Sequence, residues 1–315
     1  MKKHSFYILK SLLLILLLSL IVISEYGVPF ERKIGKGYIN EGKLWNAGAL
    51  MPGANPIVLD NHKSKTAVLI IHDYSGTPAN ARELAYYLNR KKYDVFVPLL
   101  PGHGTHLEDF KKTRFGNFSS LVARAYDSLK TRYKKIIGVG LSTGGSILMK
   151  LLIEKRIHLE ALTLINSPIM LLGYTRGKYT LPDFRMLFSG ILRYFYKQFK
   201  SAAVLPGRED AVPWQGYGGW IILDHIHFLK IRLRKIKKHC FRISVPVLIL
   251  HSNINRLFPP ANAQYIYNHV QSKIKKLEWI DISADDPSEG QHLTVNSKVK
   301  QRVFHSIGQF IQSFR

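Results

Sequence analysis

Six consecutive residues, Gly140-Leu141-Ser142-Thr143-Gly144-Gly145, carry the clearest chemistry in the chain. They follow an apolar run at 136–140 and open a helical pattern at 146–154. A serine on a sharp strand-to-helix turn presents its hydroxyl clear of the backbone. Only very small residues two positions away on each side, here Gly140 and Gly144, permit so tight an approach. Such a serine is the expected nucleophile of acyl transfer, but its hydroxyl is weak until a base takes the proton. The order along the chain in sites of this kind is serine, acid, histidine. His292, in Gly290-Gln291-His292-Leu293-Thr294, lies beyond the last expected strand, where the base belongs. Negative charge developing on the substrate oxygen needs two backbone N–H donors. One is expected from Thr143, the residue after the nucleophile. The other is expected at Tyr74, in the loop His72-Asp73-Tyr74-Ser75-Gly76 after the first core strand. His72 and His251 close apolar runs and His103 stands between glycines, so structural roles are expected of all three.

Such a turn requires a strand before it and a helix after it. Short, nearly continuous apolar runs rich in β-branched residues occur at 67–72, 95–100, 136–141, 162–165, 247–250 and 277–282. This is the pattern of strands buried on both faces of a parallel sheet. Helical periodicity lies between them, for example at 79–91, 118–133 and 146–154. The alternation predicts an α/β fold with a mostly parallel, doubly wound sheet. It is interrupted between Pro168 and Pro246 by a stretch dense in arginine, lysine and aromatic residues. No single strand–helix unit needs so many residues. Residues 169–245 are therefore expected to form an inserted helical cap over the C-terminal edge of the sheet, where α/β proteins place their ligands. Most of the cap's aromatics are expected to pack it onto the body. The main domain is expected over 64–315, with 25–63 a linker and N-terminal extension.

Four segments carry a resemblance to a known family. His72-Asp73-Tyr74-Ser75-Gly76-Thr77-Pro78 resembles the HG-F/W-x-G-x-P loop of the monoacylglycerol lipase and carboxylesterase group of α/β-hydrolases. Pro101-Gly102-His103-Gly104-Thr105 is similar to that group's P-G-H-G-x loop, residues 140–145 to its G-x-S-x-G-G turn, and residues 247–260 to its last strand–acid–P-P segment. The resemblance covers about 64–312 and is weakest in the cap. It implies an α/β-hydrolase fold and a serine hydrolase of carboxylic esters, such as monoacylglycerols, lysophospholipids or short-chain esters, working without a cofactor. Two residues depart from the pattern. Asp73 stands where the family loop has glycine, bringing bulk and negative charge beside the oxyanion donors. Asn255 stands at the acid position. It can accept a hydrogen bond from imidazole but cannot stabilise imidazolium as a carboxylate does. The segment from Asp281 to Glu289 offers a substitute acid, Asp285 or Asp286, on the same loop as His292, or is simply a solvated acidic loop. Two functions stay open: an ester hydrolase, and an impaired hydrolase kept as a membrane-associated binding protein.

The chain's 46 Lys and Arg against 21 Asp and Glu give a formal net charge of +25, spread along its length. No nucleic-acid-reading module accompanies this charge, so nucleic acid is not an expected partner. A field of this sign draws a protein to anionic lipid headgroups, and the basic run 230–242 reads either as a membrane-facing helix or as a solvated charged face. Residues 1–24 are apolar after Lys2, Lys3 and Lys10. They read as a transmembrane anchor with the remainder outside the cytoplasm, or as a signal peptide cleaved after Ser24. Cys240 is the only cysteine; it excludes an intramolecular disulfide and is expected to be packed and inert.

Overall fold

The computed structural model describes residues 50–315 apart from 52, 61–63, 172–173, 177–178, 182, 201–219, 256, 284–285 and 287–293, together with residue 11. In chain order, β1 (Ile57–Leu59) and β2 (Thr66–Ile71) lead through a 3-10 turn, Pro78–Ala81, into α1 (Arg82–Arg90) and β3 (Asp94–Val97). Then come α2 (Leu107–Lys111), α3 (Phe115–Lys130), β4 (Lys135–Leu141), α4 (Thr143–Ile153) and β5 (Ala161–Ile165). The interrupted region holds β6 (Tyr174–Arg176), β7 (Tyr179–Leu181), α5 (Phe184–Leu187), α6 (Ser189–Leu192), β8 (Gln198–Lys200), β9 (Trp220–Ile222) and α7 (Leu223–His239). The chain closes with β10 (Val247–Ser252), α8 (Ala261–His269), β11 (Lys275–Ile280) and α9 (Lys300–Gln312).

Seven strands form one sheet in the order β1-β3-β2-β4-β5-β10-β11. All neighbours are parallel except β1, which runs antiparallel to β3. From β2 the chain steps outward to β3, then returns to lay β4 on the other side of β2. The order therefore reverses between β2 and β4, and a reversal of this kind leaves a crevice at the C-terminal ends of the two strands. Ile71 pairs with Gly140 there, so the loops carrying His72–Gly76 and Ser142 emerge side by side.

All six residues of β2 and of β10 are buried, which explains the continuous apolar runs. Leu69 and Ile71 join one core cluster with residues of α3, α4 and α7, while Val68 and Ile70 join another with α1 and α9. Alternate side chains thus feed the two faces of the sheet.

The structure corrects two details. The sheet reaches back to Ile57, inside the stretch expected as linker and N-terminal extension. That strand is a three-residue edge with Val58 exposed, too short for its alternation to register. The cap is not purely helical, since β6–β7 and β8–β9 form two antiparallel pairs within it. The longest helix among its described residues, α7, buries Leu229, Leu233 and Ile236 in the same core as α3 and α4, while Arg232, Arg234, Lys235 and Lys238 face solvent. Cys240 is buried, and burial raises its thiol pKa. Among the described residues no helix is long and apolar enough to cross a membrane. The expected span, 1–24, lies outside them save for residue 11.

Candidate active site

Ser142 occupies the turn between β4 and α4 with φ 51° and ψ −124°, a sparsely populated conformation that costs a non-glycine residue roughly 1–3 kcal/mol. The surroundings hold it there. Its N–H donates to the Ile165 carbonyl at 2.7 Å, and its carbonyl accepts from Gly145 N–H at 3.0 Å. A Cβ on Gly144 would lie 2.2 Å from the Ile71 carbonyl oxygen, and one on Gly140 would lie 2.2 Å from Gly145 Cα. Neither site can take a side chain without moving backbone. The same closeness seats the start of α4 against Ile71 and His72, so Thr143 and the loop bearing Tyr74 share the crevice. Ser142 is 4% exposed.

The loop after β2 is tied from several directions. Leu100 N–H donates to His72 Nε2 at 3.1 Å, so the proton of this ring sits on Nδ1, which donates to the Asp73 carbonyl at 2.9 Å. His103 places Nε2 2.6 Å from the Tyr74 carbonyl and Nδ1 3.0 Å from that of Pro101. Burial holds His72 well below the ordinary histidine pKa and pushes His103 down to about 4. Asp73 is buried and its carboxylate accepts from Asn80 Nδ2 at 2.8 Å, so the departure from the family's glycine ties the loop to the 3-10 turn that follows. The Tyr74 ring meets Phe110 and His225 edge-on, with centroids 5.2 and 5.6 Å away. His225 reaches this spot from α7, a contact that no spacing along the chain announces.

The acid side of the site is built around the ends of β5 and β10. Asn255 is fully buried, and its Oδ1 accepts from the N–H groups of Leu257 at 3.0 Å and Phe258 at 2.9 Å. His251 Nε2 lies 3.0 Å from the Phe258 carbonyl, and burial lowers its pKa to about 4. His72, His103 and His251 are thus neutral rings bonded to backbone. His292 and Asp285 lie outside the described residues. Asp286 is buried, and its Oδ2 accepts from Lys298 N–H at 3.0 Å. Asn166, unnoticed in the sequence, bridges three segments. Its N–H donates to Leu250 O at 2.8 Å, its Oδ1 accepts from Ser252 N–H at 2.8 Å, and its Nδ2 donates to Thr294 Oγ1 at 3.3 Å. Its φ of 49° is one that asparagine tolerates better than most residues. An asparagine directly after a strand and before Ser-Pro was the available signal.

Where the cap meets the body, Asn262 Oδ1 accepts from Ile169 N–H at 2.7 Å and Met170 N–H at 2.8 Å. A cavity of about 280 Å³ opens there, with Met170, Met186 and Leu233 in its walls and Lys230, Arg234 and Lys237 among its lining. Among the described residues no group of three or more His, Cys, Asp or Glu could hold a metal ion.

No protein-family model matches the sequence. Over 228 residues it is 27% identical to a thermostable monoacylglycerol lipase of Bacillus sp. strain H-257, an alignment covering 72% of this chain and 85% of that protein. Over 249 residues it is 22% identical to a carboxylesterase of Bacillus subtilis strain 168, covering 78% and 92%. Its fold matches a solved structure of the metagenome-derived lipolytic enzymes LipS and LipT with a TM-score of 0.70 at 22% identity, over 84% of this chain and 100% of that one. With its reversed parallel sheet and its serine turn at the point of reversal, the chain has the α/β-hydrolase fold, and the proteins it is similar to in sequence are a lipase and a carboxylesterase.

Proposed function

We propose that the chain hydrolyses carboxylic esters with an apolar acyl group, of the monoacylglycerol, lysophospholipid or short-chain class, through an acyl-enzyme on Ser142. In this reading His292 takes the serine proton as Oγ attacks the carbonyl carbon, then returns it to the departing alcohol. Water, deprotonated by the same histidine, attacks the acyl carbon and frees the acid and the serine. The N–H groups of Tyr74 and Thr143 hold the oxyanion in both halves. The observation that carries the reading is the strained backbone of Ser142 at the reversal of the sheet, a strain that folding alone does not require. The names of the sequence relatives support the ester class.

Asn255 favours a second reading, an impaired hydrolase that binds rather than turns over. Its amide oxygen accepts from two loop N–H groups, and its other amide group is an NH₂, a donor that cannot accept an imidazole N–H. We read Asp286 as the replacement acid, because it is a buried carboxylate only six positions before His292 in the chain.

The cap supports a membrane setting. Leu187, Phe188, Ile191, Tyr194 and Phe195 are all exposed, Phe195 to 76%, beside the outward cations of α7. Large exposed apolar groups next to outward cations fit an anionic lipid surface. We read residues 1–24 as the segment that takes the domain to or across the membrane, leaving it outside the cytoplasm. The deciding experiment is hydrolysis of p-nitrophenyl esters of several chain lengths by the full chain and by Ser142→Ala. Turnover should be present in the first and absent in the second. Equal rates in both, or none in either, would remove the ester reading.

A further inference from the structure

We propose that His72 and His103 are positioning residues that aim the Tyr74 N–H at the substrate oxygen, a step that rests on the ester reading above. The peptide linking Asp73 to Tyr74 is planar and trans, so its carbonyl and its N–H point in opposite directions. His72 Nδ1–H holds that carbonyl at 2.9 Å, which fixes where the Tyr74 N–H points. The next peptide is held as well, because its carbonyl, Tyr74 O, lies 2.6 Å from His103 Nε2. Both peptide planes that meet at Tyr74 are therefore clamped by imidazoles from two different loops. The Leu100 N–H in turn fixes the proton of His72 on the nitrogen that faces Asp73.

An oxyanion donor must be aimed before charge develops, because the gain comes from dipoles that do not reorganise during the reaction. Two neutral, buried rings suit that task. His103 has carbonyls at both nitrogens, which favours the cation, but burial outweighs them and leaves a single proton at neutral pH. The shorter contact gives that proton to Tyr74 O. The plain alternative is that both rings only fill the core, where His103 packs edge-on against Phe110 and Phe118 with centroids 4.7 and 5.0 Å away.

Paired variants in the full chain separate the two. His72→Asn keeps a donor where Nδ1 stands, whereas His72→Gln keeps a group only where Nε2 stands. His103→Gln keeps a donor towards Tyr74 O, whereas His103→Phe keeps the ring packing alone. On an ester that the parent turns over, His72→Gln and His103→Phe should lower kcat by about 10²-fold, the order of losing one oxyanion donor, with KM nearly unchanged. Affinity for a trifluoromethyl ketone that forms a tetrahedral adduct should fall with kcat. His72→Asn and His103→Gln should recover most of both losses. A kcat that follows melting temperature instead, with His103→Phe better than His103→Gln, would overturn the clamp. If the parent hydrolyses nothing, the ester reading fails by itself and the clamp is judged by ¹⁵N spectra of the imidazoles. A proton on His72 Nδ1 and on His103 Nε2 at neutral pH supports it, and a proton on His72 Nε2 removes it.

Discussion

Asn255 and Asp286 divide the question of the missing acid into two single substitutions. Asn255→Asp keeps the oxygen that Leu257 and Phe258 require and replaces the NH₂ with a second acceptor. If no other carboxylate serves His292, kcat should rise steeply, with a ceiling near the ~10⁴-fold measured for the reverse change in a serine protease. If Asp286 serves it, that gain should stay within about tenfold, while Asp286→Asn should lower kcat by at least about 10²-fold. Rates on one p-nitrophenyl ester decide between them. An Asp286→Asn enzyme as active as its parent would remove Asp286 from the site. The same scale explains Asp73. Beside the oxyanion donors a carboxylate is unwelcome, and its bond to Asn80 Nδ2 binds it to the turn at Pro78–Ala81 instead.

At the scale of elements, the ends of β5 and β10 and the segment after position 292 are joined through Asn166. Asn166→Ala removes the side-chain bonds to the buried Ser252 N–H and the Thr294 hydroxyl, costing about 2–4 kcal/mol. Asn166→Gly relieves any strain at the positive φ without restoring those bonds, so a similar loss of stability in urea unfolding is expected from both. Recovery in the glycine variant would show that backbone strain, not hydrogen bonding, is what alanine cannot bear. The cap makes a separate prediction. Ile191→Ser with Phe195→Ser removes two apolar groups exposed to 63% and 76% and leaves the core intact. Hydrolysis of an ester presented in phosphatidylglycerol vesicles should fall at least about tenfold, given about 1.5–3 kcal/mol for each side chain fully buried in lipid. Hydrolysis of a soluble short-chain ester should not change. Equal effects on both substrates would take the membrane away from the cap.

Four buried histidines give the whole molecule a characteristic response to acid. Burial lowers His103, His225 and His251 to about 4 and His72 in the same direction. Their folded pKa values lie below the unfolded value, so between about 4 and 6.5 the unfolded chain binds more protons than the folded one. Stability is therefore complete above about pH 6.5 and declines as the pH falls towards 4, by an amount on the order of 3 kcal/mol for each of the three numbered rings. The melting temperature should drop steeply from pH 7 to pH 4.5. A flat profile would mean that these rings take up protons without leaving their places. The net charge of +25 adds self-repulsion that protonation of carboxylates at low pH enlarges.

The strands could be read from the chain because parallel strands buried on both faces leave unbroken apolar runs, as in β2 and β10. Ser142 could be read because its turn admits almost nothing but glycine at positions 140 and 144. The half-exposed edge β1 and the antiparallel pairs of the cap left no such trace. Neither did Asn166, whose partners Leu250, Ser252 and Thr294 are separated from it by 84 to 128 positions. Spacing could mark His72 and His103 only as structural, because what a histidine does depends on which carbonyl its proton meets. Local sterics are written in neighbouring residues and so belong to the sequence. The aim of a proton and the side of an amide that faces a loop depend on segments that meet only when the sheet closes, and the tertiary structure alone decides them.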